Sequence, residues 1–386
     1  MPSPSRIPPT TSKASKTRGQ DVHIKNIALH LHTPIRPLRM GMRAKRGLRH
    51  SVTCVLCTSV FAVLCGCAKH DSSPVVVYTA LDQSFSEPVL ALFEERSGIE
   101  VRAVYDTEAT KTVGLVNRLL AERDRPRCDV LWNNEVVRTV MLKRRGVLAA
   151  YESPSAADIP AAFRDSENYW TGFAARARVL IYNTEQLEAA QVPFSIEELG
   201  KPQWRKRVSL AFPMFGTTAT HAAALFAYMG DDAAREYFRA MKANGIVIVD
   251  GNASSKDAVA RGEVPIGFTD TDDAQVALSQ GKPVGMHFPD QGEGQMGTLV
   301  IPNTVSMIKG CPHPKEARQL IDFLLSREVE ELLAKSGSAQ MPLRPGIPVP
   351  EGNPSLDGIK AMSVDWDAVE ARLGASATFL EGLFIR

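Results

Sequence analysis

Short apolar runs alternate with helical stripes along most of the chain. From Pro74, Val75-Val76-Val77-Tyr78 is an unbroken run of strand length. Val89, Leu90, Leu92 and Phe93 then recur at helical spacing, with Ser86 and Pro88 marking a start and Gly98 a stop. Val101 to Tyr105 alternates like a half-buried strand, and residues 110–123 carry Val113, Val116, Leu119 and Leu120 on one helical face. Asp129-Val130-Leu131-Trp132 predicts a third strand, followed by a helix from Glu135 to Arg145 that stops at Gly146. Further strands are predicted at Val179–Tyr182, Val208–Ala211, Ile246–Val249 and Pro265–Phe268. Helices fall at about 219–229, 231–243, 253–261, 273–280 and 314–335. Strand–helix alternation of this kind predicts an α/β protein, a mostly parallel sheet with helices on both faces. In such sheets ligands sit beyond the carboxyl ends of strands, so the residues just after each strand are where function belongs.

The amino-terminal region reads differently. Residues 43–50 are strongly basic, and Ser51 to Cys65 form an apolar stretch of about 15 residues, short of the roughly 20 needed to span a bilayer. A basic segment, a short apolar core and a small-residue exit describe a secretory signal. The exit Leu64-Cys65-Gly66-Cys67 resembles the lipobox of bacterial lipoproteins, which implies lipidation at Cys67. Residues 40–66 are thus expected to be a lipoprotein signal peptide and 67–73 a tether. Residues 1–39, rich in Pro, Ser, Thr and Lys, are expected to be disordered or untranslated.

Charge separates these parts. Of 45 Lys/Arg and 43 Asp/Glu, residues 1–66 hold 11 basic and one acidic, which leaves 34 and 42 for the rest, about −8. An acidic body argues against nucleic acid as partner. The hydrophobic and charged shares, 44% and 23%, are ordinary for a globular protein and name no function. Cys128 and Cys311 are the two cysteines of the body and are expected to stay unpaired.

Four acidic groups follow strands: Asp82, Glu135, Asp272 and Asp273. Grouped carboxylates repel one another unless they share a cation, a proton or a cationic ligand. The plain alternative for Thr269-Asp270-Thr271-Asp272-Asp273 is a helix start, with Asp270 or Thr271 as cap and two aspartates in the first turn. Phe215-Gly216-Thr217-Thr218-Ala219-Thr220-His221 puts a glycine and hydroxyls at another helix start, which suits an anion or an ordinary cap. Arg176 and Arg178, just before a strand, complement an anion or pair on the surface. His221, His287 and His313 show no metal-ligand spacing. The body contains no phosphate-binding G-x-x-x-x-G-K-[ST], no G-x-S-x-G, no H-E-x-x-H and no C-x-x-C.

The order of several segments resembles the ferric-iron subgroup of bacterial periplasmic binding proteins, over roughly Val75 to Pro345. These are Val75–Tyr78, Asp129–Glu135, Gly146-Val147-Leu148, Ala175–Val179, Ile181–Thr184, Gly251–Ser254, Ala258–Glu263 and Ala339–Leu343. The resemblance implies a two-lobed type II periplasmic-binding-protein fold, each lobe a mixed, mostly parallel sheet flanked by helices, closing over its ligand. It places lobe 1 at 74–175 with a return segment at about 285–310, and lobe 2 at 176–284 with C-terminal helices at about 311–386. It also implies a monomer outside the cytoplasmic membrane, with no chemistry of its own, delivering its ligand to the permease and ATPase of an ABC importer.

Carried over by position, the ligand residues are Asp82, Glu135 (or Asn134), Asp272 and Asp273, with Arg176, Gly216, Thr217, Thr218 and Asn252 for a synergistic anion. Asp272-Asp273 stand where iron-binding members carry a Tyr pair. An all-carboxylate site is hard and oxygen-rich, suited to Fe(III) first, and to Mn, Ca or Mg. A polyamine-like or phosphonate-type molecule is the alternative ligand, with Trp132 as a stacking wall for a cation. A tethered hydrolase using paired carboxylates is the rival from another class.

Overall fold

The computed structural model describes residues 73–106 and 113–385, all within the second of two units, 1–66 and 67–386. The lipobox, with Cys67, lies outside the described residues. The first strands and helices are β1 (Val75–Thr79), α1 (Gln83–Ser97), β2 (Val101–Tyr105), α2 (Val113–Glu122), β3 (Val130–Asn133), α3 (Val137–Arg144) and β4 (Leu148–Ala149). The long strand β5 (Thr171–Asn183) leads to β6 (Val208–Ala211), α4 (Gly216–Met229), α5 (Asp231–Ala243), β7 (Val247–Val249), α6 (Asn252–Ala260), β8 (Ile266–Asp270), α7 (Thr271–Ser279) and β9 (Val284–His287). The strand β10 (Val300–Ile308) and helices α8 (Pro314–Leu324), α9 (Arg327–Lys335) and α10 (Trp366–Phe384) complete the fold.

Ten strands form one curled sheet in the order β2-β1-β3-β10-β5-β8-β6-β7, with β4 beside β10 and β9 beside β5. The parallel ladders that strand–helix alternation predicts lie at its two ends, β2-β1-β3 and β8-β6-β7. Between them β10 and β5 run antiparallel to their neighbours. These two strands are buried along almost their whole length, so they lack the alternation that marks a strand with one wet face.

The ladder between β5 and β10 slips at Pro302/Asn303. Phe173 pairs with Asn303 and Ala175 with Pro302, so Ala174 is the extra residue of a bulge, at φ 38°. Pro302 has no N–H to give the ladder, which suits an interruption at this point. Side chains satisfy the freed groups. The Ala174 N–H donates to Glu330 Oε1 (2.8 Å), and Asn303 Nδ2 donates to the Ala174 carbonyl (2.7 Å). Glu330 in turn pairs with Arg344 at 2.9 Å, both side chains wholly buried.

Apolar side chains gather in separate cores. The first contains Val75, Val77, Leu131 and Trp132 with Leu320, Leu324 and Leu333. The second contains Leu180, Phe226, Phe238, Trp366 and Leu380, and a smaller one lies around Val179, Ile181, Val259 and Met341. The segment from 311 onward is therefore shared. Helices α8 and α9 pack on the first core, contrary to the expectation that put 311–386 with the second half, and α10 alone joins the second. The reason is an apolar stripe on each: Ala317, Leu320, Ile321 and Leu324 of α8 need the face beside β1 and β3, and Val329 and Leu333 of α9 pack toward α1.

Trp132 points into the first core, wholly buried against Phe173 with ring centroids 5.4 Å apart. It offers no stacking wall to a ligand. Cys128 and Cys311 are buried free thiols. Among the described residues no helix is long and apolar enough to cross a membrane.

Candidate functional site

Helices α1, α4, α6 and α7 begin just beyond the carboxyl ends of β1, β6, β7 and β8, and their first residues line one cleft of about 640 Å³. Asp82, Arg176, Gly216, Thr217, Thr218, Asn252, Asp272 and Asp273, all expected from sequence, lie on its walls.

The floor is a charge network. Arg176 and Arg178 sit two apart on β5 and so share a face of the sheet. Arg178 stands directly opposite Asp270 in the β5–β8 ladder and donates to its Oδ1 at 2.6 Å. The other oxygen of Asp270 accepts from the Thr217 hydroxyl at 2.5 Å and from Asn252 Nδ2 at 2.9 Å, and lies 3.3 Å from Arg176 Nε. Arg178 is fully buried, with its guanidinium 4.7 Å above the Phe268 ring. Arg176 is 4% exposed and its Nη2 donates to the Asn134 carbonyl. Burial opposes the Arg176 charge, yet Asp272, Asp270, Asp273 and Asp82 together hold its pKa above the ordinary value. Two buried cations thus share the buried Asp270 carboxylate, and Arg176 draws on three more carboxylates from the cleft walls.

The walls differ in electrical character. The first turn of α7 carries Asp272 and Asp273, and one oxygen from each of Asp270, Asp272 and Asp273 lies within 4.8 Å of the others. That spacing suits oxygen ligands around one hard cation. The first turns of α4 and α6 carry no acidic residue, and among the described residues no side chain caps either helix. Their amide N–H groups and positive dipole ends favour an anion. Gly216 opens α4 at φ 53°, a left-handed conformation that glycine adopts without strain. Thr218 donates its hydroxyl to Asn252 Oδ1 at 3.1 Å and ties the two helix starts together.

Glu135 does not join the cleft. It is 1% exposed and accepts from the Val137 N–H (2.9 Å), the Arg138 N–H (3.1 Å) and the Thr220 hydroxyl (3.0 Å). It caps α3 and anchors α4 to it. The cleft residue in that region is Asn134, the alternative at that position. Sequence reasoning missed Asp250, Phe212 and Ser254 as lining groups and treated Asp270 as a cap. Strand β8 runs two residues beyond the predicted end at Phe268, which makes Asp270 the cross-strand partner of Arg178. An arginine two residues after another on a buried strand was the available signal, since each buried cation needs a carboxylate.

Comparison with known proteins agrees with this architecture. Residues 139–372 match the model of the family described as bacterial extracellular solute-binding protein. Iron uptake protein A1 of Synechocystis is 24% identical over 322 residues, covering 80% of this chain and 87% of that protein. A putative 2-aminoethylphosphonate-binding periplasmic protein of Salmonella typhimurium is 25% identical over 304 residues, 76% and 86% of the two chains. Among solved structures, iron-bound HitA from Pseudomonas aeruginosa superposes with a TM-score of 0.72 at 21% identity, covering 80% of this chain and 99% of that one. The two-lobed fold of the periplasmic binding proteins is thereby established. By the match across more than half its length, the chain belongs to the bacterial extracellular solute-binding proteins.

Proposed function

We propose that the protein captures a metal cation, ferric iron first, together with an anion, outside the cytoplasmic membrane and hands both to the permease and ATPase of an ABC importer. The observation that carries this reading is the three-aspartate group beside a buried arginine. Asp272 and Asp273 are the cation's ligands, with Asp82 on the opposite lobe. Arg176 and the starts of α4 and α6 are the anion's. A cation bound alone would face the Arg176 guanidinium, which lies 4.0 Å from Asp272. An anion between them converts that repulsion into two attractions. Each should raise the affinity of the other by the same factor, since coupling between sites is reciprocal. Closure of the lobes expels water and completes both shells. The protein performs no chemistry, acts as a monomer and is held to the membrane by a lipid on Cys67.

The iron-named relative and iron-bound neighbour support the cation. The test is calorimetric titration with ferric ion, with and without phosphate, on the wild type and on Asp272→Asn/Asp273→Asn. We expect the double variant to lose at least about 100-fold, roughly 2.7 kcal/mol. Unchanged affinity would remove the aspartates from the site.

A second reading has its own support. One zwitterion of the aminophosphonate class would place its oxyanion at α4 and α6 and its ammonium at Asp272 and Asp273, and a relative is named for such a ligand. A polyamine has no group for Arg176 and fits less well. Binding of 2-aminoethylphosphonate without metal separates this reading from the first.

A further inference from the structure

A second apolar surface lies outside the cleft. Phe85, Pro88 and Leu92 of α1 and Leu332 and Leu333 of α9 line a groove of about 370 Å³ between the two helices. The α1 residues follow one another at spacings of three and four, so they stand on one helical face. Pro88 is exposed, and Leu332 keeps 36% of its surface in solvent. Apolar groups gathered in an open groove mark a place where another molecule docks. Two observations say which. The groove is continuous with the ligand cleft, because Phe85 lines both. The Phe85 ring also packs over Gly337 just beyond α9, 3.4 Å from the point where a Cβ would stand. Asp82, at the start of α1, lies one turn away and belongs to the cleft as well. An occupant of the groove thus rests on a wall that the ligand also meets. The rim, in turn, is acidic. Arg96 pairs with Glu328 and Lys335 with Glu331, while the exposed Glu87 and Glu95 form no salt bridge among the described residues. A dimer closed through this groove would gather the unpaired carboxylates of both copies in one interface. An anionic bilayer surface would meet the same charges.

We infer that the groove between α1 and α9 seats the membrane-spanning subunit of the importer, which inserts an apolar segment flanked by Lys or Arg. The inference rests on the delivery proposed above and adds the surface used and the chemistry of the partner. Phe85 then joins docking to capture. Ligand and partner meet at one side chain, so each raises the affinity of the other by the same factor.

The full chain carries a photo-crosslinker, Leu332→p-benzoylphenylalanine, in cells that make the whole importer. On irradiation the adduct should be with the membrane-spanning subunit, as identified by mass spectrometry. An adduct with a second copy or with lipid, or no adduct at all, overturns the inference. Chemical crosslinking of the wild-type chain in the same cells keeps the two readings apart. If it captures the importer while position 332 does not, the groove falls and delivery stands. If it captures no importer subunit, both fall. In proteoliposomes holding the importer, with ferric ion and phosphate present, the concentration of Leu332→Asp needed to stimulate ATP hydrolysis should rise at least about 10-fold, as on loss of an interface anchor. Leu332 lies outside the cleft, so the ferric affinity of that variant should match the wild type. Glu87→Lys/Glu95→Lys should weaken stimulation at low salt and less at high salt, because rim charges act through a screened field. Stimulation unchanged in both variants overturns the inference.

Discussion

Asp270 is the residue whose replacement separates the floor of the cleft from its walls. Its carboxylate is 3% exposed and lies between Arg178, at 2.6 Å, and Arg176, at 3.3 Å. Asp270→Asn keeps the size and removes the charge. It also turns an amide donor toward one set of groups, Arg178 or Thr217 and Asn252, that now donate to the carboxylate. Removing one partner of a buried ion pair costs about 3–5 kcal/mol, because the remaining charge stays buried without compensation. For a body the length of residues 67–386, with an unfolding entropy of about 2.1 cal/mol/K per residue, each kcal/mol shifts the melting temperature by about 1.5 °C. The variant should therefore melt at least about 4 °C lower, before any ligand is added. Asp272→Asn/Asp273→Asn gives up a first-turn dipole interaction of about 0.3–1 kcal/mol per residue and the partly exposed pairing of Asp272 with Arg176 at 4.0 Å, and in return relieves repulsion between neighbours. It should stay within about 2 °C of the wild type while losing ligand affinity. Differential scanning calorimetry of both unliganded variants, beside titration of each, decides the matter. If Asp270→Asn melts with the wild type and loses affinity, Asp270 is a ligand group and the division between floor and wall is wrong.

Other consequences are checked more simply. Cys67→Ser should move the protein from the membrane fraction to the soluble one on fractionation, because the lipobox cysteine is the proposed anchor. A ferric complex should lack an intense visible band, since no tyrosine lines the cleft among the described residues; absorbance on adding ferric ion measures this. Glu135→Ala should cost about 1–2 kcal/mol by loss of the α3 cap and leave ligand affinity within about 2-fold, by thermal unfolding and titration. Burial raises the pKa of Asp290, so its ionised form opposes folding at neutral pH and the opposition fades as pH falls through the raised value. Asp290→Asn, at a φ of 62° that asparagine accepts, should raise the melting temperature at pH 7 and leave it unchanged below the ordinary carboxylate range, by calorimetry at both pH values.

The outer ladders of the sheet were legible because each strand there is a short apolar run next to a helix with a stripe. Strand β10 was not, since Val300-Ile301-Pro302-Asn303 places a proline and an amide inside the run. Helix α10 escaped because apolar residues are spread around it, as its contacts with α3, α4 and α5 require. At the site, position after a strand brought out Asp82, Asp272 and Asp273, which line the cleft, but could not tell Glu135, which does not, from them. Whether a carboxylate turns outward to a ligand or back onto its own helix depends on a side-chain torsion, which spacing does not encode. Phe212 and Phe215, which also line the cleft, were equally hidden, because a phenylalanine beside a strand reads as core until its exposure is known.

The bulge at Ala174 carries a consequence for how such a site changes over time. Side chains on a strand alternate between faces, so one extra residue inverts the parity of everything beyond it. Arg176 and Arg178 lie just past that residue, on the side that meets Asp270. Deleting Ala174 would heal the ladder and turn both guanidiniums to the opposite face, erasing the floor of the cleft in one step. Substitutions on the walls, by contrast, leave parity untouched. A lineage can therefore exchange aspartates, tyrosines or phenylalanines around the opening freely, while the length of β5 stays fixed and every descendant inherits the same cationic floor.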